Sequence, residues 1–171
     1  MKIFETDRLI IRKLNENDAD NYFDMMGNPN VMNLLPRNAM SRIESNDHLA
    51  GFLNPIDNNS DKKVWGIELK TGNELIGICA FIKNNHQEDE IGYRFREQFW
   101  NKGFGSEIAK ELISFGFNVL KTNKIIADVD VKNDRSVKIL AKFMTPREEF
   151  FNESDNCTDR RYEVSSLNWI H

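Results

Sequence analysis

The 171-residue chain is long enough for one domain with a sizeable core, since a chain of this length buries roughly 70% of its unfolded surface. Hydrophobic residues make up 40% and charged residues 29% of the sequence, a composition that argues against disorder. The net charge of −4 and the lack of a long basic block exclude a general attraction to nucleic acid. A phosphorylated ligand would therefore need a local binding site.

The sequence contains neither a membrane span nor a secretion signal. No apolar run approaches the ~20 residues of a spanning helix, and the first seven residues lack the features of a signal peptide. We therefore expect a cytoplasmic protein that does not bind membranes. Two cysteines, Cys79 and Cys157, are too few for a disulfide framework and lack metal-ligand spacing with any histidine. We expect no metal, and we interpret Cys79 as part of the core.

The N-terminal half is predicted to contain a strand, two helices and a hairpin. A strand over 8–14 precedes a helix over 19–26, which Asn17 and Asp18 can cap. A second helix over 41–53 is expected to bury Ile43, Leu49, Phe52 and Leu53. A polar surface loop follows over 54–61. Strands over 64–69 and 75–82 then form a hairpin.

The C-terminal half is predicted to alternate between strands and helices. A strand over 91–95 leads into a loop with glycines, and an amphipathic helix over 106–120 follows. After a strand over 124–131, a short helix begins at Asn133 and Asp134 and ends before Pro146. Strands over 149–151 and 161–165 are expected to form an antiparallel pair.

The loop between strand and helix carries two closely spaced glycines, Gly103 and Gly105. The start of a helix leaves backbone N–H groups unpaired and carries a partial positive charge, so phosphate can bind there. Lys102 adds a cation. Alternatively, the glycines only relieve crowding in a turn. The Walker pattern is absent, and Ile108 stands where the dinucleotide fingerprint needs glycine or alanine.

The segment Trp100-Asn101-Lys102-Gly103-Phe104-Gly105 resembles the acetyl-CoA signature of the GNAT superfamily of N-acetyltransferases. The tryptophan at its first position resembles the signature of one branch of that superfamily, the ribosomal-protein alanine N-acetyltransferases. The resemblance extends to about residue 143. It includes 6–12, Val31-Met32 with Leu35-Pro36, Glu90-Ile91-Gly92-Tyr93 and Asn133-Asp134-Arg135-Ser136.

This resemblance implies an α+β fold for residues 1–171 as a single acetyltransferase domain. A mixed, mostly antiparallel sheet of about seven strands would be flanked by about four helices and splayed at its central strands. The cosubstrate would be acetyl-CoA, and the acceptor a primary amine on a small molecule or a peptide N-terminus, with direct attack in a ternary complex. A homodimer is also suggested. The expected cofactor contacts are Phe95, Arg96, Lys102, Gly103, Phe104, Gly105, Ser106 and Asn133.

Glu90 is the first candidate for a general base, because an alkylammonium with a pKa near ~10 must lose a proton before it attacks. Asp128 and Asp130 on the neighbouring strand are alternatives. Leu140 occupies the position of the family's proton-donating tyrosine, so Ser136 is the candidate acid, unless the thiolate leaves unaided. Simpler roles are also open: Glu90 as a solvated charge at a strand end, and Asn133 or Ser136 as a helix cap.

Two departures from the family pattern keep a second function open. Leu140 replaces the tyrosine, and Met144 follows Phe143 where the family usually has glycine. A domain with these changes could bind acetyl-CoA as a sensor without turnover. A nucleotide-binding fold unrelated to acetyl transfer is a third interpretation.

Overall fold

The computed structural model describes residues 1–35, 37–53 and 61–170. Its strands are β1 (Lys2–Glu5), β2 (Leu9–Arg12), β3 (Lys62–Leu69), β4 (Glu74–Lys83), β5 (Asp89–Phe95), β6 (Lys124–Asp130), β7 (Thr145–Asn152) and β8 (Cys157–Ser165). Its helices are α1 (Ala19–Met26), α2 (Pro29–Met32), α3 (Arg42–Leu53), α4 (Phe104–Asn118) and α5 (Asp134–Leu140). None of these helices is long and apolar enough to cross a membrane.

All eight strands join one sheet in the order β1-β2-β3-β4-β5-β6-β8-β7. Every neighbouring pair is antiparallel except β5 and β6. The predicted α+β class with a mixed, mostly antiparallel sheet is confirmed. The strand beyond the expected seven is β1, which pairs with β2 at the sheet edge.

The sheet opens between its two parallel strands. β4 pairs with the whole of β5, from Gly77 opposite Phe95 to Lys83 opposite Asp89. β6 pairs with β5 only where Glu90 lies opposite Ile126. Beyond Glu90 the two strands diverge, as predicted, and the outer edge of β5 is left open.

Helices pack against both faces of the sheet. Ile108, Leu112 and Ile113 of α4 are fully buried in the larger core cluster, as expected from their three- and four-residue spacing. Tyr22 of α1 belongs to a second cluster, together with Leu75 of β4. Since Ile76 belongs to the first cluster and strand side chains alternate between faces, the two cores lie on opposite sides of the sheet.

The prediction for α3 was wrong at Ile43, which is 74% exposed. The helix packs instead through Ser45 and Leu49, which are one turn apart and buried. Ile43 lies about 200° around the helix from Ser45, so it faces solvent. Of the predicted loop over 54–61, only Asp61 lies within the described residues.

Two further boundaries differ from the predictions. α4 begins at Phe104 because Gly103 adopts a φ of 81° and ends the loop there. β7 begins at Thr145, before the predicted strand over 149–151, and so includes Pro146; α5 ends at Leu140, before Pro146 as predicted. A proline is tolerated in β7 because this strand is at the sheet edge and pairs with β8 alone.

Candidate functional site

A cleft of about 430 Å³ opens at the N-terminus of α4, and we call it the helix cleft. Gly103, Phe104, Gly105 and Ser106 form one end of it. No side chain of the described residues caps this helix, and its first internal bond runs from the Glu107 amide to the Gly103 carbonyl at 3.2 Å. The amides of the first turn are therefore available to an anionic ligand.

Arg8 fixes the loop that precedes α4. Its Nε donates to Glu107 Oε2 at 2.7 Å and its Nη1 to the Lys102 carbonyl at 2.9 Å. Its guanidinium also lies 4.4 Å from the centre of the Phe104 ring. Because Arg8 neutralises Glu107, the carboxylate in the first turn of α4 does not oppose anion binding.

Gly105 allows α5 to approach α4 closely. A Cβ atom at this position would lie 2.6 Å from Cδ1 of Ile139. Gly105 thus makes room for a neighbouring helix, which agrees with the alternative that the glycines relieve crowding, and it also lines the helix cleft.

Basic side chains of α5 and the residues after it lie beside the helix cleft, which the sequence analysis missed. Arg135 and Lys138 line the cleft, and Lys142 Nζ donates to Ser106 Oγ at 3.0 Å. Arg135 and Lys138 are three residues apart and share one face of α5, and Lys142 follows two residues after the end of that helix. This spacing was visible in the sequence and could have predicted further phosphate contacts.

A second space of about 620 Å³ follows β5 and β6, and we call it the strand cavity. Glu90, Gly92 and Arg94 line it from β5. Six residues line both spaces: Leu34, Leu35, Tyr93, Arg94, Asn133 and Ser136. The helix cleft and the strand cavity therefore adjoin where the sheet opens.

Glu90 lies in the strand cavity with a perturbed carboxyl group. Burial, and then the negative charge of Asp128, raise the pKa of Glu90 to about 7, and Arg161 partly opposes this. Asp128 is already occupied, since Arg161 donates to both of its oxygens at 2.9 and 2.8 Å. Asp130 accepts from the Lys132 amide at 3.0 Å. The pKa of Glu90 suits proton exchange near neutrality.

Asn133 and Ser136 lie together where the helix cleft meets the strand cavity. Asn133 is buried, and its Oδ1 accepts from the Ser136 amide at 3.3 Å, which caps α5. The cap proposed for Asn133 is thus present. Since a side-chain amide has separate donor and acceptor ends, the Nδ2 group can still donate to a ligand.

Tyr93 was not considered as a functional residue, although its hydroxyl is buried without a hydrogen-bond partner among the described residues. Burial raises the pKa of this phenol, and the neighbouring Ser136 lowers it by a smaller amount. Leu140, in contrast, is buried in the core. The Ser136 side chain is near this hydroxyl but does not make a hydrogen bond of normal geometry with it, so a ligand atom can supply one.

Two predicted cofactor contacts lie outside the helix cleft. The Arg96 guanidinium binds Asp24 at 2.7 Å and Glu74 at 2.9 Å, and its amide donates to the Ile76 carbonyl. The Lys102 ammonium lies 5.2 Å from the centre of the Phe99 ring.

Phe95, a third predicted cofactor contact, lines the helix cleft. Its carbonyl accepts from Trp100 Nε1 at 3.0 Å, so this oxygen already has a partner.

Neither cysteine is suited to nucleophilic attack. Cys79 is buried in the core as expected, and burial raises the pKa of its thiol. Burial and the nearby Asp159 raise the pKa of Cys157 to about 12. The described residues include no group of three or more His, Cys, Asp or Glu side chains that could hold a metal ion.

An open mixed sheet, an uncapped helix start and an adjoining cavity are in keeping with an acyl-CoA-dependent acetyltransferase. A family model described as an acetyltransferase (GNAT) domain matches residues 8–143. The chain therefore belongs to the GNAT acetyltransferase family.

Individual relatives agree with this assignment. The chain is 32% identical over 142 residues to the uncharacterized N-acetyltransferase YoaA of Bacillus subtilis (strain 168), covering 82% of this chain and 80% of YoaA. A GNAT-family acetyltransferase from Bacillus anthracis superposes with a TM-score of 0.83 at 24% identity, covering 98% of this chain and 100% of that one. A ribosomal L7/L12 alpha-N-protein acetyltransferase in complex with coenzyme A gives a TM-score of 0.77 at 17% identity, covering 96% and 98%. At these identities the two structures show a common fold.

Proposed function

We propose that the protein transfers an acetyl group from acetyl-CoA to a primary amine by direct attack in a ternary complex. The observation that supports this proposal most strongly is that the helix cleft and the strand cavity share lining residues and therefore adjoin. One space opens at unpaired helix amides, and the other contains Glu90 with a pKa of about 7.

The helix cleft has the features that a coenzyme A thioester requires. The amides of Phe104, Gly105 and Ser106 would bind phosphate oxygens, with Lys138 and Lys142 supplying charge. The cleft walls are largely apolar, and the Asn133 amide and the orphaned Tyr93 hydroxyl lie at its inner end. Acetyl-CoA, when bound, supplies the acetyl group as a thioester.

The strand cavity would receive the acceptor. Glu90 would take a proton from the ammonium group, directly or through water, to leave an amine that can attack. Tyr93 and Ser136 lie where the two spaces meet and could each return a proton to the departing sulfur. We therefore add Tyr93 to the candidate acids.

We retain an amine on a small molecule or a peptide N-terminus as the acceptor, with the ribosomal-protein branch as the peptide alternative. We also propose that residues 1–171 act as one domain, as a homodimer and in the cytoplasm. Two free thiols are in keeping with a reducing compartment.

The test is thiol release from acetyl-CoA across a panel of small amines and short peptides, with mass spectrometry of each product. We expect acetylation of at least one primary amine in the panel. Tight binding of acetyl-CoA without turnover of any amine would instead support the sensor hypothesis.

A further inference from the structure

Three residues of β5 present a distinct pattern to the strand cavity. Glu90, Gly92 and Arg94 are spaced by two, so they face the same side of the sheet. A Cβ atom at Gly92 would meet nothing within 4 Å. A carboxylate and a guanidinium therefore lie on either side of an open gap, with about 13 Å between their Cα atoms at strand geometry.

Arg94 is largely buried without a carboxylate partner among the described residues. Its Nη1 contacts Met26 Sδ at 2.9 Å and Met32 Sδ at 3.4 Å, and thioether sulfurs are weak acceptors. Its Nε is buried with no partner in the part of the chain described. A buried charge without a counter-ion is costly to fold.

The other arginines in partly buried ion pairs are arranged differently. Arg12, Arg96 and Arg161 each pair with two carboxylates. Among the buried and half-buried arginines of the described chain, Arg94 is thus the one without a carboxylate partner.

The surroundings of Arg94 do not neutralise it. Burial lowers its pKa to about 10, and the nearby Arg37 adds to this effect, so the group stays charged at neutral pH. Tyr22 faces it, but burial raises the pKa of Tyr22 to about 12, so this phenol is neutral. His48 also lies within its electrostatic range and has a lowered pKa.

We propose that the acceptor is a small primary amine that also carries a carboxylate, with its amine at Glu90, its chain over Gly92 and its carboxylate on Arg94. This proposal rests on the proposed function, because it assigns the amine to the base of that reaction. A carboxylate would satisfy the guanidinium through charge-assisted hydrogen bonds. The two ends of the acceptor would thus meet complementary charges.

The test uses pairs of ω-amino acids and their carboxamides, from β-alanine to 6-aminohexanoate, which differ only in the negative charge. We expect kcat/KM to be at least tenfold higher for the acid in the best pair, equivalent to about 1.4 kcal/mol. Arg94→Met should raise the KM of the acid about tenfold and leave that of the carboxamide nearly unchanged. Arg147→Met, at an exposed arginine of β7, is the matched control and should behave like the wild type.

Two further variants keep the test decisive. If Arg94→Met does not fold, Arg94→Lys retains a charge and should keep the preference for acids with a higher KM. Gly92→Val fills the gap and should raise the KM of acids and carboxamides alike, with no change in the Kd of CoA.

Several results would overturn the proposal: equal use of acids and carboxamides, a preference that survives in Arg94→Met, or a loss of CoA affinity as large as the loss of acid affinity. If no amine is turned over, calorimetry decides with the CoA-saturated protein. Acid binding that depends on Arg94 supports the proposal, and its absence contradicts it. The binding of CoA, measured in the same calorimetry, tests the proposed function separately from the acceptor proposal.

Discussion

Glu90 shows how burial can raise the pKa of an ordinary carboxylate. Strand alternation turns it into the strand cavity, and the nearby charge of Asp128 makes its ionised form less favourable. The positive charge of Arg161 partly opposes these effects. The result is a carboxyl group whose pKa lies close to neutral pH.

The first prediction concerns the activity of Glu90→Gln. Removing a positioned base lowers rates by 10²- to 10⁴-fold in typical cases, so we expect kcat/KM to fall at least about 100-fold. The wild-type rate should rise with pH through an apparent pKa of about 7, as Glu90 loses its proton. Initial rates from pH 5.5 to 9 measure this, with the exposed Glu153→Gln as control. A variant that keeps the same pH profile would exclude Glu90 as the base.

The second prediction is that the same variant gains stability at high pH. The pKa of Glu90 rises from 4.5 to about 7 on folding, so the folded state binds more protons between these values. The free energy of unfolding therefore falls as pH rises through this window. Glu90→Gln lacks this loss and should be more stable at pH 8 by on the order of 2 kcal/mol, with little gain at pH 4.5. Urea unfolding at both pH values tests this, and an equal difference at both would contradict the pKa shift.

Sequence could identify Glu90 but not the environment of single side chains. A family resemblance marked Glu90 and Asn133, and both line the strand cavity. Arg96 looked equally suitable, yet its guanidinium turns toward Asp24 and Glu74. Partners 72 and 22 residues away are brought to Arg96 by the fold alone. The orphaned Tyr93 hydroxyl is likewise a property of packing.

At the scale of elements, α5 contributes more than a cap to the candidate site. Its apolar Ile139 packs against Gly105, while its basic residues lie along the helix cleft. The start of α4 and the side of α5 therefore form one cationic surface. The glycine loop could be recognised from sequence, but its union with α5 depends on the contact between the two helices.

The third prediction concerns the basic residues beside this cleft. Lys138→Gln and Lys142→Gln should each weaken coenzyme A binding by roughly two- to fivefold, corresponding to about 0.5–1 kcal/mol for a solvent-exposed charge. The losses should shrink at high salt because exposed charges are screened. Lys110→Gln, on the exposed side of α4, provides the matched control. Calorimetry at two salt concentrations measures the effect, and a loss of equal size in Lys110→Gln would show that only net charge matters.

On the scale of the whole molecule, the resemblance to the GNAT superfamily predicted the mixed sheet and its opening, and the patterns along the chain predicted most of its strands and helices. The predictions missed β1 because four residues with mixed exposure give a weak pattern. The predicted strand over 149–151 is shorter than β7, because a proline such as Pro146 usually ends a strand. Pro146 is tolerated in β7 because this strand lies at the edge of the sheet. Periodicity thus predicts that an element exists, while its first and last residues depend on neighbours that are distant in sequence.

The opening between β5 and β6 leads to the last prediction, on ligand-linked stability. A ligand that binds only the folded state at 100 times its Kd adds about 2.7 kcal/mol, which raises the Tm of a chain of this size by roughly 5–10 °C. Acetyl-CoA should produce such a rise, whereas ATP and NAD should produce far smaller ones. Ser106→Glu should largely abolish it, because the new carboxylate competes with phosphate for the helix amides and Lys142. Asn17→Glu places the same charge near the start of α1 and should retain the rise. Equal protection by ATP, or a full response in Ser106→Glu, would mean that coenzyme A is not held at the N-terminus of α4.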